Sequence, residues 1–590
     1  MTELKNFRGI ENTNFFELDR GFQLLMRDLL PTQKIDDAFA SLVECGALAA
    51  CRWNELANQA NRAEHAPRII KFNRTGERIE KIDFGLPVDQ LRREAAEFGV
   101  LTKAKNQAHK FALVYLLAHN GESSLTCPIS CTDGLIAATG AKGSNQLKEA
   151  YLEKLLSSET PFAGAQFVTE RDAGSDVGAI TTKAEAMTNG KWQMADGERQ
   201  TASGEQKVES GAWKITGDKW FCSNPDEFFA VAARVDGPGR YGTNDIGLFF
   251  VPRVLPDGSV NNLSILRLKD KLGTRALPTA EIKFDNAVGF PIGPTNEGFK
   301  TLMNYVLNVS RVHNAVNACG FLHRTFLEAR NYARQRKAFG QAIVNYSLVR
   351  ETLLKLLARL WRQRLLVFKL ISLIDENGLV PESEEQAMWQ RFLTNLAKYR
   401  TAVKLTDSIK EAILLFGGNG IVEDFTVLPR LLRDAMIIET WEGAHNTLCL
   451  QIIRDMKRSR LLERYYTEIN RSLETWPKET IPNTRNSFIN ALDQLKGAIT
   501  HGRLADDSWT LRHARRIVDR LGDLLELVWM AEFADRYKGE DSTAALLTVV
   551  ANDEFNASHS VMLSSSIEKV EKYVIALIDE SVINADLAQF

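Results

Sequence analysis

Glu442 sits between an apolar run and a new helical stretch, in Thr440-Trp-Glu442-Gly443-Ala-His-Asn446. A carboxylate there favours the N-terminus of the helix it precedes, or serves as a general base; the residues alone leave both open. Four other segments have the residue types to hold a cofactor. Phe167-Val-Thr-Glu-Arg-Asp-Ala-Gly-Ser-Asp176 offers hydroxyls and closely approachable backbone N–H groups, suited to a polar or anionic cofactor edge, and reads equally as a strand-to-loop turn. Gly217-Asp-Lys-Trp-Phe-Cys-Ser223 places a Trp near a strand end, either in a core or against a flat ligand. Arg334-Gln-Arg336-Lys-Ala-Phe-Gly340 ends a long helix with arginines that suit phosphate, or that merely complement the helix dipole. Leu415-Phe-Gly417-Gly-Asn-Gly420, with Arg433-Asp434 after it, is a C-cap or a place where backbone nears a pyrophosphate.

These segments need elements to hold them. The chain has 590 residues, and about 150 residues per domain predicts three or four domains. Residues 1–160 are mostly helix-like, as in Phe22–Leu30 and the Ala95–Ala118 run. Residues 161–290 change texture to short β-type runs: Ala165–Thr169, Trp213–Thr216, Phe228–Val235, Ile246–Val251 and Ala280–Phe284, with turns such as Asp257-Gly258. Helical texture returns over 291–455, in Gly298–Arg336, Leu348–Ile374, Gln386–Phe416 and Thr447–Arg464, lengths that suit a bundle. Residues 456–590 form a further helical region, with a proline linker from Trp476 to Asn483. Helix, sheet and helix in blocks argue against a doubly wound sheet.

Hydrophobic residues make up 44% and charged residues 25%, which excludes a disordered chain. The net charge of −2 gives no basic excess for nucleic acid over the whole chain. Apolar stretches such as Leu365–Ile374 are too short to span a bilayer. The N-terminus reads as no signal peptide and the C-terminus as no targeting address. The seven cysteines are scattered with no CxxC, as expected of free thiols in a reducing cytoplasm. Cys127 and Cys131 share a helical face, but no second Cys/His pair completes a metal site, so no metal is expected.

In this order and spacing the motifs resemble those of the acyl-CoA dehydrogenase family, over roughly residues 100 to 455. Its TE-x-x-AGSD loop is Thr169 to Asp176, and its K-x-W element is reduced to Lys219-Trp220. Its R-x-x-FG motif is Arg336 to Gly340, its Gly-rich turn Gly417 to Gly420, and its base motif Glu442-Gly443. The AidB-like branch is similar in four further features. These are Trp441 before the base with Asn446 after it, the segment Ser124 to Ile129, the segment Arg267 to Gly273, and an added C-terminal helical region. The resemblance implies an α+β multidomain fold: a helical N-terminal domain, a middle antiparallel β-barrel, a four-helix bundle and the extra helical domain.

It also implies bound FAD. Thr169, Ser175, Trp220, Phe221, Cys222 and Ser223 would contact the flavin. Arg336, Phe339, Gly417, Gly418 and Gly420 would hold the pyrophosphate and adenosine of a neighbouring subunit's FAD, with Trp441, Gly443 and Asn446 near the cofactor. That arrangement implies a homo-oligomer, usually a tetramer. Cys222 stands where many members have Thr, and Ser223 offers the hydroxyl one residue later. The implied reaction is α,β-dehydrogenation of an acyl-CoA. Glu442 takes the α-proton, hydride passes to flavin N5, and an electron-transferring flavoprotein is the acceptor. Arg311 would meet the CoA end, while Asn308 replaces the usual Asp and Trp441 is bulkier than the usual Tyr.

Two alternatives come from other classes. One is DNA binding through the C-terminal region, as in an AidB-like relative tied to the alkylation response. Residues 456–590 carry 17 Lys and Arg against 21 Asp and Glu, a net of −4 and a poor basis for phosphate neutralisation. One stripe, Arg512, Arg515, Arg516 and Arg520, has helical spacing, with Asp519 and Asp523 close by. The other alternative is a flavoprotein that binds acyl-CoA without turning it over.

Overall fold

The computed structural model describes residues 7, 9–187, 211–235, 241–476, 481–556 and 569–585. The expected proline linker lies partly outside these residues, as do the chain ends. By its contacts the chain divides into two compact units. One comprises 1–54, 105–121 and 314–590, and the other 55–104 and 122–313, so the N-terminal stretch contributes to both.

The first helices are α1 (Arg20–Leu29), α2 (Ile35–Ala50) and α3 (Arg52–Ala60). A hairpin absent from the sequence reading follows, β1 (Arg68–Phe72) with β2 (Arg78–Asp83). Next come α4 (Leu86–Phe98), α5 (Gln107–Ala118), α6 (Thr126–Lys142) and α7 (Asn145–Leu156). The run expected as continuous from Ala95 to Ala118 is broken. Gly99 takes a left-handed φ of 96° and ends α4. The Asn106 side chain then accepts from His109 N and starts α5.

Seven strands form the middle sheet: β3 (Gly164–Phe167), β4 (Lys183–Ala186), β5 (Trp213–Ser223), β6 (Phe228–Arg234), β7 (Ile246–Pro252), β8 (Leu263–Leu268) and β9 (Thr279–Pro291). β6-β4-β5-β9-β7 pair in sequence, and β7 pairs back with β6, which closes a barrel. β3 adds to β6 and β8 to β9. The β3–β6 and β4–β6 pairings are parallel, so the expected barrel is not antiparallel throughout. β4 and β8 were not legible as strands. The inward side chains Phe167, Ile215, Cys222, Phe249 and Phe284 belong to one buried apolar cluster.

The stretch after the barrel is helical from Gly298, as expected, but not uniformly α. α8 (Gly298–Thr301) leads into a π-helical segment, Leu302–Leu307, and then α9 (Asn308–Gln335). π turns often mark functional sites, and this one directly precedes Asn308. A two-residue hairpin, β10 (Lys337–Ala338) with β11 (Gln341–Ala342), precedes α10 (Ser347–Asn377) and α11 (Glu384–Phe416). α12 (Leu428–Thr440) and α13 (His445–Arg458) flank the Glu442 turn. The stretch expected as one helix over Thr447–Arg464 stops at Ser459, and α14 (Leu461–Glu474) starts anew. α15 (Pro482–Ala498), α16 (His501–Ala505), α17 (Asp507–Tyr537) and α18 (Thr543–Asn556) complete the C-terminal region. α17 is buried along Ile517–Ala534, where Arg362 and Arg400 of the bundle donate to its Glu526.

Candidate active site

In the β-rich unit, the loop after β3 is fastened from beneath. Glu170 is buried and accepts from Thr181 N, Thr181 Oγ1, Thr182 N and Thr182 Oγ1. Lys219 Nζ donates to its Oε1 at 2.7 Å and to Val168 O at 3.1 Å. Burial works to raise the Glu170 carboxyl, but the Lys219 ammonium and the hydrogen bonds outweigh it and hold the carboxyl down to about 2. The loop is stitched to β5 where Trp220 N donates to Thr169 O at 2.9 Å. Ser175 lies exposed in the same loop.

β5 carries a bulge between Lys219 and Cys222 opposite β9. Strict alternation would put Lys219 and Cys222 on opposite faces. The extra residue buries both and turns Trp220 and Phe221 outward, as bulges beside functional sites commonly do. Phe221 is 54% exposed. Lys269 Nζ lies 3.4 Å from the centre of the Trp220 ring, with Arg171 at 4.9 Å. Lys269 belongs to the Arg267–Gly273 segment and is held by Glu281 at 2.7 Å. Cys222 is fully buried in the barrel core, and burial pushes its thiol up. The polar side chain presented there is Ser223, whose hydroxyl shares a 3.0 Å hydrogen bond with Thr279.

Asn308 and Arg311 face each other on α9, Arg311 Nη1 donating to Asn308 Oδ1 at 3.4 Å. Nearby, a His313–Asp133 contact of 2.8 Å escaped the sequence reading because its partners are distant in sequence.

The helical unit holds the other candidates. The Glu442-Gly443 turn has two successive left-handed residues, φ 54° and 108°. For a glutamate this costs about 1–3 kcal/mol and persists only where the surroundings impose it. Lys398 of α11, fully buried, imposes it: its ammonium donates to Gly443 O at 2.8 Å and to Glu439 O at 3.0 Å. It thus satisfies an orphan carbonyl at the end of α12 and the carbonyl of the turn itself. The sequence reading missed Lys398; its signal is a lysine inside the apolar face Leu396-Ala-Lys-Tyr-Arg-Thr-Ala402. Trp441 is half-buried and Asn446 exposed on either side of the turn.

Arg336 is exposed at the end of α9. Phe339, at the β10–β11 turn with φ 49°, is 96% exposed. A Cβ built on Gly340, Gly417 or Gly418 meets no atom within 4 Å, whereas one on Gly420 lies 2.5 Å from Ile413 O. Gly420 therefore shapes the turn, and Gly417 and Gly418 leave its outer face open. An exposed guanidinium, an exposed aromatic ring and an unobstructed glycine backbone fit the pyrophosphate and adenine of a dinucleotide. Outward aromatics beside a hydroxyl on β5 fit the flavin end.

Two further sequence features are placed. Cys127 and Cys131 lie 3.9 Å apart, Sγ to Sγ, on α6. Of the arginine stripe on α17, Arg520 lies over the Phe555 ring at 4.2 Å and Arg515 donates to the Tyr399 hydroxyl at 3.5 Å. Among the described residues, Asp19, His323 and Glu580 are grouped closely enough to hold a cation. Asp19, however, already accepts from Arg364 and Tyr115 at 2.6 Å each, as an ion-pair network.

The order of helices, closed barrel and helical bundle is the architecture of the acyl-CoA dehydrogenases, as comparison with known proteins shows. The model of the acyl-CoA dehydrogenase C-terminal domain matches residues 296–457, and that of the middle domain 165–287. The model of the adaptive response protein AidB N-terminal domain matches residues 7–160. The chain belongs to the acyl-CoA dehydrogenase family, in its AidB-like branch. It is 29% identical over 447 residues to acyl-CoA dehydrogenase family member 11 of Caenorhabditis elegans, covering 73% of this chain and 68% of the relative. It is 28% identical over 340 residues to the putative acyl-CoA dehydrogenase AidB of Escherichia coli, covering 57% of this chain and 56% of that one. The crystal structure of Caenorhabditis elegans ACDH-11 in complex with C11-CoA shares the fold with a TM-score of 0.79 at 24% identity, over 97% of this chain and 96% of that one. Among the described residues no helix is long and apolar enough to cross a membrane.

Proposed function

We propose that the protein is an FAD-dependent dehydrogenase of an acyl-CoA thioester in which Glu442 removes the α-proton. The observation that carries this is the Glu442-Gly443 turn. A carboxylate at the family's base position is held in left-handed backbone by a buried lysine, which helix capping alone does not require.

FAD, when bound, supplies the acceptor for the hydride that leaves the β-carbon. Trp220 and Phe221 offer it an aromatic surface, with Thr169, Ser175 and Ser223 as hydroxyl partners and Cys222 contributing main chain only. From a neighbouring subunit, Arg336, Phe339 and the Gly417–Gly420 turn hold its pyrophosphate and adenosine end; Trp441, Gly443 and Asn446 line the approach. The α-proton is too weakly acidic for a free carboxylate. The thioester carbonyl must therefore be polarised by fixed donors such as the Glu442 N–H, typically worth a few kcal/mol. Arg311 takes the CoA end. Asn308 beside it, neutral where the family has Asp, leaves that guanidinium with one counter-charge fewer. The nematode relative of like fold holds C11-CoA, which makes medium-length acyl chains the first to test. Electrons would leave to an electron-transferring flavoprotein, from a homotetramer.

The test is anaerobic flavin absorbance during titration with acyl-CoAs of increasing length, wild type beside Glu442→Gln. Bleaching that requires both a particular acyl-CoA and Glu442 is the expected result. A yellow protein that no acyl-CoA reduces sinks the dehydrogenase reading and leaves binding without turnover.

A further inference from the structure

α17 lies beyond the last residue matched by the family's C-terminal domain, 457, yet it is bonded to the same turn of α11 that holds Glu442 in place. Three consecutive α11 residues, spaced about 100° apart around the helix, link the Glu442 turn to α17. Lys398 holds Gly443 O and Glu439 O. The buried Tyr399 donates its hydroxyl to Asp519 Oδ1 at 2.9 Å and sets its ring edge-on to His445, 5.4 Å between centroids. Arg400 donates to Glu526 Oε1 at 2.8 Å, to Asp519 Oδ1 at 3.3 Å and to Asp523.

His445 is the first residue of α13, three positions after Glu442. Burial and the charges of Lys398 and Arg515 hold its imidazole down to about 4, so it meets Tyr399 as a neutral ring. The close approach of α17 is built in: a Cβ on Gly522 would sit 2.8 Å from Arg400 Cδ. The Glu442 turn is therefore gripped from both ends, at Gly443 by Lys398 and at His445 by Tyr399. The second grip is set by a carboxylate and a guanidinium of α17.

We propose that Asp519 and Arg515 are positioning residues for the Glu442 turn, acting through Tyr399, so that the C-terminal helical region sets the geometry of the base. This rests on the reading of Glu442 as the base. A hydrogen bond to a charged group that fixes Tyr399 predicts an effect of about tenfold when it is lost.

The test uses the full-length protein as Asp519→Asn, Tyr399→Phe and the double variant, with Arg512→Ala as a control on the same helix. Two quantities are read: amide hydrogen exchange of residues 441–448, and the limiting rate of flavin reduction against the half-saturating acyl-CoA concentration. Expected are about tenfold faster exchange confined to that segment and about tenfold slower limiting reduction with half-saturation unchanged. The double variant should be no worse than Asp519→Asn, because the two residues act in series. Exchange and rate within about twofold of wild type would overturn the proposal, as would loss spread evenly over the chain. Tyr399→Phe removes one oxygen only, so the question stays open to test if Asp519→Asn does not fold. If no acyl-CoA bleaches the wild type, the dehydrogenase reading falls, and the exchange measurement still decides the positioning claim.

Discussion

Glu170 and Lys219 illustrate how the loop after β3 and strand β5 divide their labour. Thr169 and Ser175 present polar atoms, whereas Glu170 is spent on five donors beneath the loop. Glu170→Gln would leave the Lys219 ammonium buried beside a neutral partner. Removing one member of a buried pair typically costs about 3–5 kcal/mol, so we expect a marked loss in the urea midpoint, with a smaller loss in Lys219→Met, where the Glu170 carboxylate keeps four donors from Thr181 and Thr182. The sequence showed both residues as motif members but could not say that they bind each other, because the pairing depends on the β5 bulge. The same bulge decides that Phe221 faces out and Cys222 in. Cys222→Ser should accordingly disturb the barrel core more than flavin binding, since a hydroxyl would be buried among apolar neighbours; Tm and flavin content per protein separate the two.

At the scale of elements, capping residues explain which expected helices survived. Gly99 and Asn106 cut the Ala95–Ala118 run, and both signals were in the sequence, outweighed there by apolar periodicity. The Gly417–Gly420 turn makes a sharper case. Gly420 has backbone 2.5 Å from where its Cβ would lie, and Gly418 has open space. We expect Gly420→Ala to cost about 1–3 kcal/mol through displaced packing. Gly418→Ala should leave stability within about 0.5 kcal/mol while lowering flavin retention. Thermal unfolding alongside flavin absorbance checks both, and equal loss of stability in the two would contradict the assignment of distinct roles.

Over the whole molecule, buried ion pairs bind the C-terminal region to the bundle. Arg400 and Arg362 meet Asp523 and Glu526 of α17, and Arg359 meets Glu554 of α18. A chain ended after Arg458 would strip Arg362 and Arg400 of their carboxylate partners and lay bare the apolar bundle face that α17 covers, and we expect it to be insoluble; soluble yield and circular dichroism decide. Acid should also tell. For Asp19, burial works to raise the carboxyl, but Arg364, His323 and Tyr115 hold it down to about 2. Glu170 is likewise held to about 2. Carboxyls lowered on folding add stability that is complete above their unfolded values, near 4, and is lost as pH falls toward 2. These groups leave the urea midpoint unchanged between pH 7 and 5 and lower it steeply below pH 4. The residue types, their order along the chain, the block pattern of helix and strand, and the spacing of the family's motifs were all legible in the sequence, because local periodicity and short-range turn chemistry are written in neighbouring residues. The grip of Lys398 on the Glu442 turn, the bulge that re-aims Trp220 and Phe221, and the reach of α17 to Tyr399 were decided only in the tertiary structure, because each joins atoms whose residues lie tens to more than a hundred positions apart and whose burial removes the water that would otherwise satisfy them.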